Sequence, residues 1–303
     1  MNIAMITMTR NDDCRFREWK EHYEEYKGDL YLHIIVDNGS TEEYQALLKE
    51  NFPDSKIIEL GYNGGCTAAY NAGIKYALEQ PEIDAISLLA NDVKMLPGTL
   101  QTLYEVLYSE NGYGMVSPVS VRVGNDNLAA AYGEIIDRKT MNLIVQNKGV
   151  SVDSLPEILL SETLPGGNNL AKREFYEKVG LQDEKFFMYA DEVDMGIRGE
   201  RAGFKFVTTT KARTWHMHIN PPGQVTRNPM AAYLMGRNHI YLARKLFGRK
   251  EVFHTVMHRL KAAAIFYLSC FKHRKNKEEW RYANAFTKGV IAGIKGDMTN
   301  NFD

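Results

Sequence analysis

Residues 56–92 read KIIELGYNGGCTAAYNAGIKYALEQPEIDAISLLAND, and their order decides the fold. Lys56 to Leu60 is a short β-rich run, Cys66 to Leu78 has helical character with small residues on one side, and Ala85 to Leu89 is a second apolar run. Strands alternating with helices predict a mostly parallel sheet with right-handed crossovers. The pattern continues upstream: Asn2 to Thr7 (NIAMIT) reads as a buried strand, Phe16 to Tyr26 as a helix, Tyr31 to Val36 (YLHIIV) as a strand and Glu42 to Glu50 as a helix. The fold class expected is α/β, a Rossmann-like, mostly parallel sheet flanked by helices. Ligands of such sheets bind beyond the carboxyl ends of the strands.

Downstream, Leu100 to Tyr108 reads as a helix, Gly114 to Val123 as a strand, Ala130 to Val150 as a hairpin-like excursion and Ser151 to Ser161 as a loop. Pro165 to Asn169 (PGGNN) is expected to open a helix over Leu170 to Val179, followed by an acidic cluster and a strand, Lys205 to Thr209. From Pro229 to about Ile294 the pattern is helical. The domain reading is one α/β domain over 1–228, in two halves, 1–110 and 111–228, with a helical region over 229–303.

A chain of 303 residues buries one large core or two modest ones, and 44% hydrophobic with 25% charged residues is ordinary globular composition. A formal net charge of −1 excludes a global field that recruits nucleic acid. Cys14, Cys66 and Cys270 are too widely spaced for a disulfide framework or a zinc site, so a reducing cytoplasm is expected. No signal peptide is expected, and the longest apolar run, Ala262 to Phe271, is too short to span a bilayer.

Several motifs follow expected strands. Asp37-Asn38-Gly39-Ser40-Thr41 sets a carboxylate in a tight turn, where it either accepts from a base or ribose or caps the next helix. The glycines of Asn63-Gly64-Gly65 precede a helix whose N-terminus carries positive charge suited to phosphate, although the dinucleotide fingerprint is absent. Ala68, Ala72 and Gly73 alternatively serve close packing on the sheet. In Ala90-Asn91-Asp92 an acid ends an apolar strand, a ligand type for Mg²⁺ or Mn²⁺ or else a solvated turn residue. Asp191-Glu192-Val193-Asp194 gathers three acids in four residues, which raises proton affinity and suits a general base, or else caps and braces a helix. Thr214-Trp215-His216-Met217-His218 offers imidazoles as metal ligands or as buried structural groups.

Together these segments resemble the family-2 glycosyltransferases of the GT-A fold, in particular their bacterial rhamnosyl- and galactofuranosyltransferase branch. The matching stretches are VDNGST (Val36 to Thr41), NGGCTAAYNAGI (Asn63 to Ile74), LLANDVKMLPGTL (Leu88 to Leu100), PGGNNLAKREFYEKVG (Pro165 to Gly180), FFMYADEVDMGIR (Phe186 to Arg198) and WHMH (Trp215 to His218). Gly236-Arg237-Asn238-His239 and the late GVIAGIKG also match, so the resemblance covers nearly the whole chain.

The resemblance implies that Thr7, Thr9 and Asp37 contact base and ribose, and that Asn63, Gly65, Asn71 and Asn91 line the nucleotide pocket. Asp92 and His216 would hold a divalent cation, Mn²⁺ or Mg²⁺, under the diphosphate. Gly166, Gly167, Asn168 and Asp194 would lie near the transferred sugar and acceptor. Asp191 or Glu192 would take the acceptor proton, with Asp191 favoured. Two departures stand out: the family's Asp-x-Asp is Ala90-Asn91-Asp92 here, and its usual Glu-Asp is Asp191-Glu192.

The implied activity is inverting transfer of a sugar from a UDP- or dTDP-linked donor to a hydroxyl of a glycan or lipid-linked acceptor in surface polysaccharide synthesis. The work would be done in the cytoplasm, at the inner face of the cell membrane. Alternatives are a sugar-phosphate nucleotidyltransferase, against which the sequence Thr9-Arg10-Asn11-Asp12 speaks, and an inactive nucleotide-sugar-binding relative. Lys245, Arg249, Arg259, Lys261, Lys272, Arg274 and Lys275 leave two readings of the C-terminal helices open: contact with anionic membrane, or apolar faces packed on the catalytic domain or on another subunit of a homo-oligomer.

Overall fold

Every residue from Ile3 to Ile6 is fully buried, as expected of a strand covered on both faces. The structure, a computed structural model, describes residues 1–217, 228–274 and 276–300; His218 and Lys275 lie outside the described residues. The first half runs β1 (Ile3–Thr9), α1 (Asp13–Tyr26), β2 (Leu32–Asp37), α2 (Glu42–Asn51), β3 (Lys56–Glu59), α3 (Gly65–Leu78), β4 (Ala85–Leu89), β5 (Val93–Met95), α4 (Thr99–Ser109), β6 (Tyr113–Arg122) and β7 (Asn125–Ala131). Then follow β8 (Glu134–Asp137), β9 (Asn142–Val145), β10 (Ile158–Ser161), β11 (Asn168–Lys172), α5 (Arg173–Val179), α6 (Asp191–Arg201), β12 (Lys205–His216), α7 (Pro229–Leu246), α8 (Arg249–Lys272) and α9 (Lys277–Lys295).

The main sheet has the order β10-β12-β6-β11-β4-β1-β2-β3, with β5 added to β12 and β7 to β6. From β4 to β3 all pairings are parallel, so β1, β2 and β4 end at one edge. The remainder is mixed: β11 runs antiparallel to both β4 and β6, while β12 runs parallel to β6. Side chains alternate across the sheet. Ile3, Met5 and Ile35 join Phe16, Trp19, Tyr23 and Phe52 on one face; Ala4, Ile6 and Ile34 join Tyr70, Ile74 and Phe175 on the other. A Cβ on Gly73 would overlap Ile6, so this glycine lets α3 lie close on β1.

Two assignments differ from expectation. PGGNN does not open a helix: Asn168–Lys172 is a central strand, and α5 begins only at Arg173. Leu170 and Ala171 are good helix formers, but both are fully buried between β4 and β6, and that burial overrides propensity. Within the expected loop 151–161, Ile158–Ser161 is an edge strand on β12. β8 and β9 form the hairpin expected in 130–150.

The chain packs as two units, the first holding residues 1–135, 145–182 and 195–219 and the second 136–144, 183–194 and the chain after 219. The sheet lies wholly in the first. In the second, α7 and α9 meet at glycines: a Cβ on Gly289 would strike the Tyr233 carbonyl and one on Gly236 the Phe286 carbonyl. Among the described residues no helix is long and apolar enough to cross a membrane.

Candidate active site

The ends of β1, β2 and β4 supply one group of polar residues in the first unit. After β2, the buried Asp37 carboxylate accepts from the Ser40 N–H at 3.2 Å and from Gln45 Nε2 at 2.8 Å. It thus closes the turn, and Thr41 caps α2 by accepting from the Tyr44 N–H. Gly39 has φ +78° and a Cβ there would overlap the Tyr62 backbone, so only glycine fits. Asn38, next in line, bridges to the glycine turn: its Oδ1 accepts from the Gly64 N–H at 2.8 Å and its Nδ2 donates to the Gly65 carbonyl at 3.2 Å. Asn63 Oδ1 accepts from the Gly65 N–H at 3.3 Å. The two turns therefore form one ledge.

After β4, the Ala90-Asn91-Asp92 turn collects partners from three other elements. Ala90 donates to the Gly167 carbonyl at 2.8 Å, and a Cβ on Gly167 would crowd Tyr70 and Ala90, which sets Gly167 against the start of this turn. Asn91 Nδ2 donates to Asp12 Oδ2 at 2.8 Å. Arg15 Nη1 donates to Asp92 Oδ2 at 2.9 Å, and His216 Nε2, at the end of β12, stands 3.5 Å from Asp92 Oδ1. His216 arrives there because β12 pairs with β5, opposite Val93. Thr9, Arg10, Asp12, Arg15, Asn38 and Asn91 line a cavity of about 290 Å³ at this edge.

Other expected residues lie deeper. Thr7 is fully buried and faces His33 Nε2 at 3.3 Å; it supports β1 from inside and offers no surface to a nucleotide. Thr9 Oγ1 pairs with the Tyr44 hydroxyl at 2.6 Å. Asn71 is tied into the core, donating to the Gln182 carbonyl at 2.9 Å and accepting from the Gln182 N–H at 3.0 Å. Asn168 is buried; its Nδ2 donates to Ser120 Oγ on β6 at 3.2 Å and to Thr214 Oγ1 on β12 at 2.8 Å, which ties the start of β11 to the two strands beyond it.

Asp191, Glu192 and Asp194 belong to the second unit. The backbone before them is strained: Phe187, Tyr189 and Ala190 have φ of 65°, 68° and 68°, left-handed values that side chains resist. Buried Asn238 on α7 holds this segment, its amide nitrogen 2.9, 2.8 and 2.9 Å from the carbonyl oxygens of Phe186, Met188 and Tyr189. Arg237, also fully buried, donates to Lys185 O at 3.2 Å. Asp194, with no exposed surface, is held by Lys245 Nζ at 2.9 Å, and Lys245 also reaches Asp183 at 2.8 Å. Burial pushes the Asp191 carboxyl well above the usual carboxylate range, and the charges of Glu192 and Asp194 push it the same way.

Sequence reasoning missed Asp12, Arg15, Asn38 and the positioning role of Arg237 and Asn238. The available signal for the first two was place alone, since Arg10 to Asp12 follow β1 directly, as the other motifs follow their strands.

The model for "Glycosyl transferase family 2" matches residues 20–180. The N-acetylglucosaminyl-diphospho-decaprenol L-rhamnosyltransferase of Mycobacterium tuberculosis (strain CDC 1551 / Oshkosh) is 25% identical over 231 residues, covering 69% of this chain and 74% of that protein. The low-salt glycan biosynthesis hexosyltransferase Agl10 of Haloferax volcanii is 23% identical over 258 residues, 82% of this chain and 81% of that one. Among solved structures, GalNAc-T7 with UDP, GalNAc and Mn²⁺ superposes with a TM-score of 0.66 at 11% identity, over 98% of this chain but only 57% of that one. The mannosyltransferase PcManGT from Pyrobaculum calidifontis, in complex with GDP-Man and Mn²⁺, gives 0.57 at 14% identity, over 97% and 87%. The likeness in structure establishes a GT-A-type fold, and with the family match over more than half its length the chain belongs to glycosyl transferase family 2 and is a glycosyltransferase.

Proposed function

We propose that this protein transfers a sugar, with inversion, from a nucleoside diphosphate sugar to a hydroxyl of a lipid-linked glycan. The observation that carries the reading is the grouping of Asp92, His216, Arg15 and Asn91 at the carboxyl edge of the parallel strands, beside the ledge of Asn38, Gly64 and Gly65. The base and ribose would rest near Thr9 and the turn that Asp37 closes from within, the diphosphate near the Gly64-Gly65 turn and Arg15, and the sugar near Gly166 and Gly167. The lipid-linked acceptor is suggested by the rhamnosyltransferase relative, whose name specifies a diphospho-decaprenol substrate. Cys14, Cys66 and Cys270 are free thiols, which suits work in a reducing compartment.

Among the described residues no group of three or more His, Cys, Asp or Glu side chains could hold a metal. Asp92 and His216 still fit a hard divalent cation whose remaining ligands are diphosphate oxygens and water, because such ions keep several waters. A cation bound there would offset charge gathering on the leaving diphosphate. Arg15, already on Asp92, contributes a fixed positive charge to the same place.

Asp191 is the proposed base. It takes the proton from the acceptor hydroxyl as that oxygen bonds to the anomeric carbon and the carbon–phosphate-oxygen bond breaks, releasing nucleoside diphosphate. Its raised proton affinity suits proton removal near neutral pH. A panel of UDP- and dTDP-sugars with Mn²⁺, read by thermal shift and then by product, tests the reading. Release of nucleoside diphosphate with one donor supports it; pyrophosphate release would instead mark a nucleotidyltransferase, and binding without turnover an inactive relative.

A further inference from the structure

We infer that the outer face of α8 is a docking surface for an anionic phospholipid bilayer. Phe253, Met257, Leu260, Ala264, Leu268 and Phe271 follow one another at steps of three or four residues, which places them on one side of the helix over about 27 Å. They are exposed, Leu268 to 65% and Phe271 to 70%. Isolated exposed hydrophobes are ordinary; a continuous row along a helix is not. The opposite side of α8 is already used, with Thr255, Arg259, Ala263 and Cys270 buried.

Charge decides between occupants. Arg249, Lys250, Lys261 and Lys272 are exposed on the same helix, which has no exposed acid. Its one acidic residue, Glu251, accepts from the Gly248 N–H at 3.2 Å and serves the helix cap. A second copy seated on this row would bring cations against cations, whereas anionic headgroups neutralise them. At the amino end of the row, Arg138, Lys139, Lys250 and His254, together with Phe247 and Glu251, line an open cavity of about 450 Å³ whose basic side chains suit a headgroup phosphate. An apolar row with a cationic rim on a helix that does not span is the composition of a helix lying in the membrane interface.

The inference does not depend on the transferase reading, and its test uses no nucleotide sugar. The full chain is sedimented with phosphatidylcholine vesicles that contain or lack phosphatidylglycerol. Partitioning is expected to rise about tenfold or more with phosphatidylglycerol at low salt. Leu268→Asp with Phe271→Asp should abolish binding, and Lys250→Glu with Lys261→Glu should remove the preference for phosphatidylglycerol. Unchanged circular dichroism and melting confirm that each variant folds. Wild-type protein that stays in the supernatant, or a Leu268→Asp/Phe271→Asp variant that binds like wild type, overturns the inference. So does a dimer, seen by light scattering and lost in that variant, in protein that ignores vesicles.

Discussion

Arg15 Nη1 lies 2.9 Å from Asp92 Oδ2, joining the start of α1 to the turn after β4 across 77 residues of sequence. The contact matters because Ala90-Asn91-Asp92 keeps only one acid of the family's Asp-x-Asp. Asn91 in turn donates to Asp12 at 2.8 Å, and Arg15 Nε lies 3.4 Å from the same Asp12 oxygen. A guanidinium and a second carboxylate, both from α1 or its entry, thus stand beside the shortened motif.

If Arg15 supplies positive charge to the diphosphate, Arg15→Met should weaken UDP or dTDP binding without divalent cation by about tenfold, the worth of a charge-assisted contact. His216→Ala should act in the complementary assay, raising the Mn²⁺ concentration for half-maximal activity, also by about tenfold, or ~1.4 kcal/mol of lost coordination. Calorimetry without Mn²⁺ reads the first, and activity titrated with Mn²⁺ the second. Identical metal titrations for wild type and His216→Ala would place the ion elsewhere.

Asp191→Asn should lower the transfer rate by about a hundred- to ten-thousandfold while nucleotide affinity stays within a few-fold of wild type. Because burial raises this carboxyl above its ordinary range, the acid limb of the wild-type pH–rate profile should sit at higher pH than a free carboxylate would place it. Near-normal turnover in the asparagine variant would remove Asp191 as the base.

Asn238 reaches no substrate in this scheme; it holds the left-handed segment that presents Asp191. Asn238→Ala leaves buried carbonyl oxygens without a donor and should cost about 1–3 kcal/mol of stability. It should depress kcat with donor affinity preserved. A variant that melts early but keeps full kcat at low temperature would assign Asn238 to folding alone.

Glu134 is buried, and its Oε2 has no hydrogen-bond partner among the described residues; burial pushes its carboxyl up to about 8 from 4.5, with Lys148 opposing. The folded state therefore prefers it protonated. Its stabilising contribution is complete below about pH 4.5 and is lost as pH rises towards 8. Glu134→Gln should match wild type at pH 4 and exceed it at pH 9 by on the order of a few kcal/mol. Melting curves at the two pH values check the sign, and parallel pH dependence in the two proteins would refute it.

The apolar runs of β1, β2 and β4 and the small-residue face of α3 were legible because burial on both faces of a parallel strand writes a local pattern. Asn168–Lys172 was not, since residues that favour a helix on their own were drafted into the sheet centre by β4 and β6. The site divides in the same way. Asp37, Gly65 and Asp92 could be found as turn residues after strands, each marked by its neighbours. That Asn38 binds the glycine ledge, that Arg15 rather than a second motif acid meets Asp92, and that Asn238 holds the Asp191 loop were decided only in three dimensions. Local sequence carries periodicity and turn chemistry, both short-range; which side chains meet across scores of residues depends on strand order and register, which emerge only when the sheet closes.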